Sequence, residues 1–293
     1  MSSSQVSGAA IVLVFVLWAA PALRAEDSPK VRPDVVYGHK DGMALTFDVV
    51  SPAEPSGAAV MLIQSGGWYS RWVDPKLLLP ICKPLLDKGL TVFIVRHGSA
   101  PKYTVPEAVD DMRRSVRFIR LHAQDYRVDP ARLGATGGSA GGHLALMLAT
   151  TGDDGDPAAK EDVLKQSSRI AAAVALFPPT DIRHWTTNPP EAIKRLPQLK
   201  PPLTFPADKE KDVSPILHLT PDDAPMLMIH GDKDELVPLS HSEKLLAASQ
   251  TAKAPAELLV IEGAGHGYNA QHNLKVVPAL VGWFEKHLAK KSK

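Results

Sequence analysis

Residues 133–148 read LGATGGSAGGHLALML, a short apolar run that ends in Gly137-Gly138-Ser139-Ala140-Gly141-Gly142-His143 and passes into a second apolar stretch over 144–148. The first run suits a strand and the second a helix, so Ser139 falls at a sharp strand-to-helix turn. Glycines are needed on both sides of such a turn, because side chains there collide with neighbouring backbone. Ser139 then stands exposed above a sheet. The helix behind it directs its first N–H groups, that of Ala140 among them, at negative charge developing beside the serine. G-x-S-x-G alone is a weak pattern; its place between strand and helix gives it meaning.

A serine hydroxyl is a poor nucleophile near neutral pH, so a base must take its proton and a carboxylate must orient that base. Downstream, His230-Gly231-Asp232-Lys233-Asp234-Glu235-Leu236-Val237-Pro238 follows the apolar run 226–229. Gly263-Ala264-Gly265-His266-Gly267-Tyr268 follows the run 258–261. Asp234 is the candidate acid and His266 the candidate base, in the chain order Ser, Asp, His that this architecture requires. Asp232 and Glu235 are neighbours able to act in place of Asp234, while His143, His230 and His241 read as structural or exposed. A tetrahedral intermediate also needs hydrogen-bond donors for its oxyanion. Gly66 and Gly67, after the run 59–63, are candidates together with Ala140; an ordinary tight turn is the alternative for the two glycines, and Ser139 downstream favours the oxyanion role. Trp68, Tyr69 and Trp72 follow closely, and Trp68, Tyr69 and Trp185 are candidates for lining an acyl or sugar pocket; aromatic core is the alternative.

Outward from these loops the chain alternates. Residues 35–50 carry two short β-like stretches around Lys40-Asp41-Gly42 and read as a hairpin. The runs 59–63 and 90–95 are apolar at every position, as suits parallel strands covered on both faces. Residues 75–88 read as a helix between them. Val109, Met112, Val116 and Ile119 recur at helical spacing within 106–123, and Asp129-Pro130 turns the chain into the strand at 133–136. Further strands are expected at 171–177, 226–229 and 258–261, and Val277, Leu280, Val281 and Phe284 mark a final helix. Such alternation implies an α/β fold with a mostly parallel central sheet flanked by helices. One stretch breaks the pattern. Residues 185–212 are dense in proline, which argues for an irregular excursion and a short lid over about 182–213, with a passive surface loop as the equal alternative.

The ends of the chain have a different character. Residues 9–20, AAIVLVFVLWAA, are followed by Ala20-Pro21-Ala22 and a switch to charge at Arg24, Glu26 and Asp27. The apolar run is short for a bilayer span and small residues follow it, so residues 1–25 read as a signal peptide cleaved after Ala22 or Ala25. Residues 26–293 then form a single catalytic domain exported to a periplasm or beyond the cell, with no membrane span remaining. An uncleaved N-terminal membrane anchor is the alternative. With 33 basic and 32 acidic residues the formal charge is +1, and only Lys290-Lys291-Ser292-Lys293 clusters lysines, so nothing here marks a nucleic-acid partner. Cys82 is the only cysteine, which excludes an intrachain disulfide; it reads as a buried helical thiol.

With these residues in place, the chain resembles the α/β-hydrolase superfamily, specifically the esterase and lipase branch related to feruloyl and acetylxylan esterases and to the prolyl oligopeptidase catalytic domain. The resemblance rests on Ser65-Gly66-Gly67-Trp68, on Asp129-Pro130-Ala131-Arg132-Leu133-Gly134 leading into the serine turn, and on the segments around Asp234 and His266. It covers essentially all of the chain after the apolar N-terminus. Where that branch commonly carries His-Gly-Gly-Gly-Trp, this sequence reads Gln64-Ser65-Gly66-Gly67-Trp68, so a histidine that braces the loop is replaced by Gln64. The resemblance implies a serine carboxylic-ester hydrolase that needs no metal or organic cofactor, acting on small-molecule or carbohydrate esters with short acyl groups. A serine peptidase is the second reading and a non-catalytic binding protein the third.

Overall fold

The computed structural model describes residues 28–290. The proposed signal segment and its cleavage positions lie outside the described residues. Eight strands form one sheet: β1 (Lys30–Lys40), β2 (Met43–Ser51), β3 (Ala59–Ile63), β4 (Thr91–Val95), β5 (Leu133–Gly138), β6 (Ala172–Leu176), β7 (Met226–Gly231) and β8 (Ala256–Ile261). Their spatial order is β1-β2-β4-β3-β5-β6-β7-β8, with the β1–β2 and β2–β4 pairs antiparallel and every other pair parallel. The edge hairpin turns through Asp41 and Gly42, both at positive φ, as a two-residue hairpin turn demands.

The helices are α1 (Pro75–Leu86), α2 (Val105–Leu121), α3 (Ala140–Thr151), a one-turn α4 (Glu191–Lys194), α5 (Ser240–Ala252) and α6 (Ala270–His287). They cover both faces of the sheet. In β4, Val92 and Ile94 face a layer containing Leu78, Cys82 and Leu85 of α1 and Phe284 of α6; Phe93 and Val95 face Met112, Val116 and Ile119 of α2 and Leu144 of α3. A strand buried on both sides must be apolar at every position, which is why β3 and β4 read as unbroken apolar runs. Fully burying a side chain such as Phe93 contributes about 1.5–3 kcal/mol. Cys82 is buried in α1, as its sequence context implied.

Strand order places the candidate site. From β3 the chain winds outward to β4, then returns across β3 to β5, so the connections after β3 and β5 leave in opposite directions. An open α/β sheet has its crevice at such a switch point, outside the carboxyl ends of the strands. The loop carrying Gly66 and Gly67 follows β3, and Ser139 follows β5.

Between β6 and β7 the proline-rich stretch folds as α4 and five 3-10 turns at Pro197–Leu199, Pro201–Leu203, Ala207–Lys209, Lys211–Val213 and Pro215–Leu217. Three of them open on proline, where a missing N–H costs no helical hydrogen bond. Ile193, Leu199, Leu203 and Val213 are buried in the same apolar cluster as Trp68 and Trp185. The buried carboxylate of Glu210 gathers the segment's start, accepting from the N–H groups of His184 and Thr186 and from the Thr186 hydroxyl. Among the described residues, no helix is long and apolar enough to cross a membrane.

Candidate active site

Ser139 sits at the junction of β5 and α3 with φ 53° and ψ −118°. The turn closes so tightly that a Cβ on Gly137 would lie 2.6 Å from the Gly141 carbonyl carbon. Only glycine at 137 lets strand and helix pack this closely, and that contact presents Ser139 at the apex.

His266, in the loop between β8 and α6, places Nε2 2.9 Å from Ser139 Oγ and Nδ1 2.8 Å from Asp234 Oδ2. Asp234, in the loop after β7, is buried. Its Oδ1 accepts the N–H groups of Leu236 at 3.0 Å and Val237 at 2.9 Å. Burial alone would push this carboxyl up, yet the hydrogen bonds from His230 and His266, the histidine charge and the Val237 N–H hold it well below the usual carboxylate range. An ionised Asp234 only accepts, so His266 donates from Nδ1 and leaves Nε2 to accept from the Ser139 hydroxyl. The neighbouring carboxylates are placed elsewhere: Asp232 Oδ1 accepts from Gly263 N–H at 2.7 Å, and Glu235 is exposed.

Two further residues support this hydrogen-bond chain, one read from the sequence only as structural or exposed and one only as a strand end. His230, fully buried at the end of β7, has Nε2 2.8 Å from the Val237 carbonyl and 3.3 Å from Asp234 Oδ2, while Nδ1 lies 2.7 Å from Ser242 Oγ. Donating from Nε2 and accepting from Ser242, it ties the acid to α5. Phe177, at φ 41° just after β6, packs its ring against His266 with centroids 4.7 Å apart. Phe177 was read as the last residue of a strand; its positive φ, invisible in the sequence, turns it beneath the imidazole. His143 and His241 are structural, as expected. His143 bonds Trp68 Nε1 and the Val213 carbonyl, and His241 Nδ1 accepts from Thr180 N–H.

The oxyanion candidates separate. The N–H of Gly66 donates to the Tyr69 carbonyl at 3.0 Å, and the Tyr69 N–H returns the bond to the Gly66 carbonyl. Gly66 is therefore corrected from donor to turn residue: its N–H is consumed in closing its own loop. Among the described residues, the N–H groups of Gly67 and Ala140 have no protein acceptor and remain available. The aromatic candidates also separate. Trp68 is 3% exposed, at φ 60°, with its Nε1 donating to His143 Nδ1, and Trp185 is 6% exposed against it. Both are corrected from pocket lining to core that supports the lid, because the apolar face of residues 193–213 needs large partners beneath it. Tyr69 is half-buried and Trp72 is 58% exposed.

A mostly parallel eight-stranded sheet with a serine at a strand-to-helix elbow, joined through a histidine to a buried aspartate, defines an α/β-hydrolase. The chain belongs to the BD-FAE family, which it matches over residues 47–248. It is 26% identical over 243 residues to a probable carboxylic ester hydrolase, LipM, of Mycobacterium tuberculosis, covering 80% of this chain and 56% of that protein. It is 27% identical over 209 residues to esterase LipQ of the same organism, covering 68% and 48%. The chain thus spans about half the length of these curated relatives. Among solved structures, a truncated carbohydrate esterase from gut microbiota superposes with a TM-score of 0.74 at 25% identity, covering 91% of this chain and 99% of that one. A butyrate-bound thermophilic esterase from the Planctomycetes species Thermogutta terrifontis gives 0.72 at 26% identity, covering 92% and 98%.

Proposed function

We propose that this protein is a serine hydrolase of carboxylic esters. The observation that carries the reading is the unbroken Asp234–His266–Ser139 hydrogen-bond chain beside two N–H groups with free hydrogens. In the forward step His266 Nε2 takes the Ser139 proton as Oγ attacks the acyl carbonyl. Asp234 stabilises the imidazolium, and Gly67 and Ala140 donate to the oxyanion. The C–O bond to the alcohol breaks with proton return from His266, leaving an acyl-enzyme that water hydrolyses by the same path. The names of the related esterases support the reading.

The substrate favoured is a short acyl group on a carbohydrate or related alcohol. Leu199 of the lid supports the short acyl chain, because its side chain lies directly over Gly67. The solved carbohydrate esterase supports the sugar alcohol. Export through residues 1–25 completes the proposal, supported by the apolar run 9–20 and the small residues after it. Sequencing the N-terminus of protein recovered from an expressing host tests it, with a start at residue 23 or 26 expected and an intact residue 1 counting against cleavage.

The deciding assay is hydrolysis of p-nitrophenyl esters of increasing acyl length, with Ser139→Ala alongside. Activity on acetate that falls with chain length and disappears in the variant is the expected result. Cleavage of a peptide anilide with no ester turnover would instead support the peptidase reading.

A further inference from the structure

The loop between β3 and α1 places Gly67, yet its first residues carry no large side chain that anchors them. A neighbouring strand supplies the anchor. His97, just past the end of β4 and 4% exposed, has Nδ1 2.9 Å from the Gly98 carbonyl and Nε2 2.8 Å from Ser65 Oγ. A carbonyl only accepts, so Nδ1 carries the proton and Nε2 accepts from the Ser65 hydroxyl. The Ser65 carbonyl meanwhile accepts from the N–H of Gly141 at 3.2 Å, the residue next to Ala140 at the start of α3. Ser65 is thus held from both sides: by its hydroxyl to β4 and by its carbonyl to the helix that carries the second oxyanion donor.

We infer that Ser65 and His97 form a positioning pair that sets the distance between the Gly67 and Ala140 donors, in place of a side-chain brace at Gln64. The rest of the loop follows the same strand. Ser70 Oγ donates to the Gln64 carbonyl at 2.7 Å and accepts from His97 N–H at 3.2 Å, and Ser70 N–H donates to Ser99 Oγ at 3.0 Å. The outer side of this network opens on a cavity of about 260 Å³ bordered by His97, Ser70, Ser99 and Trp72. On this side the loop is held by hydrogen bonds across open space, while buried Trp68 fixes its far end, so loss of one bond lets the stretch before Trp68 shift. An oxyanion donor displaced by a fraction of an ångström weakens transition-state stabilisation and leaves ground-state binding almost untouched.

This inference rests on the ester-hydrolase reading for its turnover arm and is freed from it by a second measurement, the rate at which a fluorophosphonate labels Ser139. In that reaction the serine oxygen bonds to phosphorus, fluoride leaves, His266 takes the proton, and the phosphoryl oxygen occupies the oxyanion site. Full-length Ser65→Ala, His97→Gln, the double variant and Ser65→Thr would be compared with wild type, with thermal midpoints recorded. Ser65→Ala and His97→Gln should each slow labelling and lower kcat by roughly tenfold with KM within about twofold, a part of the 10²–10³ that one whole donor is worth. The double variant should be no slower than the worse single, and Ser65→Thr, which keeps the hydroxyl, should stay within about twofold of wild type. Labelling of Ser65→Ala at the wild-type rate, multiplying effects in the double variant, or a loss confined to KM would overturn the pair. Normal labelling of wild type with no ester turnover would count against the ester reading alone, the pair being judged on labelling rates.

Discussion

Ser139 holds φ 53° and ψ −118°, a backbone region that an L-residue occupies at a cost on the order of 1–3 kcal/mol. The conformation is held by the Ser139 N–H bond to the Leu176 carbonyl at 2.9 Å and by the close packing of Gly137 against Gly141. Ser139→Ala and Ser139→Gly should both abolish turnover, yet Ser139→Gly should be the more stable by about 1 kcal/mol, since glycine carries no Cβ penalty at positive φ. Chemical denaturation of the two variants checks this; equal stability would mean that the elbow stores no strain. At Asp234 the expectation concerns the tautomer. Asp234→Asn retains an oxygen for the Leu236 and Val237 N–H groups but can turn an amide N–H toward His266 Nδ1, forcing the imidazole proton onto Nε2. A fall in kcat of about 10³–10⁴-fold with an unchanged fold is expected, read by steady-state kinetics beside circular dichroism.

Among the elements, the proline-rich segment is where we propose that substrate range is decided. Leu199 reaches across from a 3-10 turn to cover Gly67, so Leu199→Ala should open room beside this proposed oxyanion donor. The ratio of butyrate to acetate turnover should rise several-fold, measured with the p-nitrophenyl series, at a stability cost of about 2–3 kcal/mol for the lost buried methyls. An unchanged ratio would place the acyl group elsewhere. This segment also shows the limit of sequence reading: proline density announced an irregular excursion, but the contact between residues 67 and 199 is set by how the segment's buried apolar side chains pack into the core that holds Trp68 and Trp185. Helix α5 escaped notice for a related reason. Its buried face is Ser242, Leu245 and Ser249, two small polar residues and one leucine, so it lacks the apolar periodicity that marks α2. By contrast β3, β4 and the turn at Ser139 were legible, because burial on both faces and steric closeness act on local residue types.

For the whole molecule, three histidines, two buried and one half-buried, tie stability to pH. Burial pushes His97, His143 and His241 each down to about 4 from the ordinary value near 6.5. Between pH 6.5 and 4 the unfolded chain binds protons at these sites and the folded one does not, so stability is full above about pH 6.5 and falls toward pH 4. The slope is about 1.4 kcal/mol per pH unit for each histidine at most. Asp234, held below its ordinary value, adds a further loss as pH drops through the carboxylate range below 4. Urea unfolding at pH 8, 6 and 4.5 tests this, with near-equal stability at all three values as the contrary result.

The sequence by itself determined the alternating parallel architecture, the elbow at Ser139 and the order of Ser139, Asp234 and His266 at the strand ends along the chain. Each depends on local rules: which residues tolerate a tight turn, and which runs survive burial on both faces. The tertiary structure alone decided which of three neighbouring carboxylates meets His266, that the Gly66 N–H is spent on Tyr69, that Trp68 and Trp185 lie inside, and that His97 and His230 brace the two sides of the centre. Those outcomes depend on which donor faces which acceptor once the strand ends converge, and such pairings between distant segments follow from packing of the whole sheet, not from local spacing.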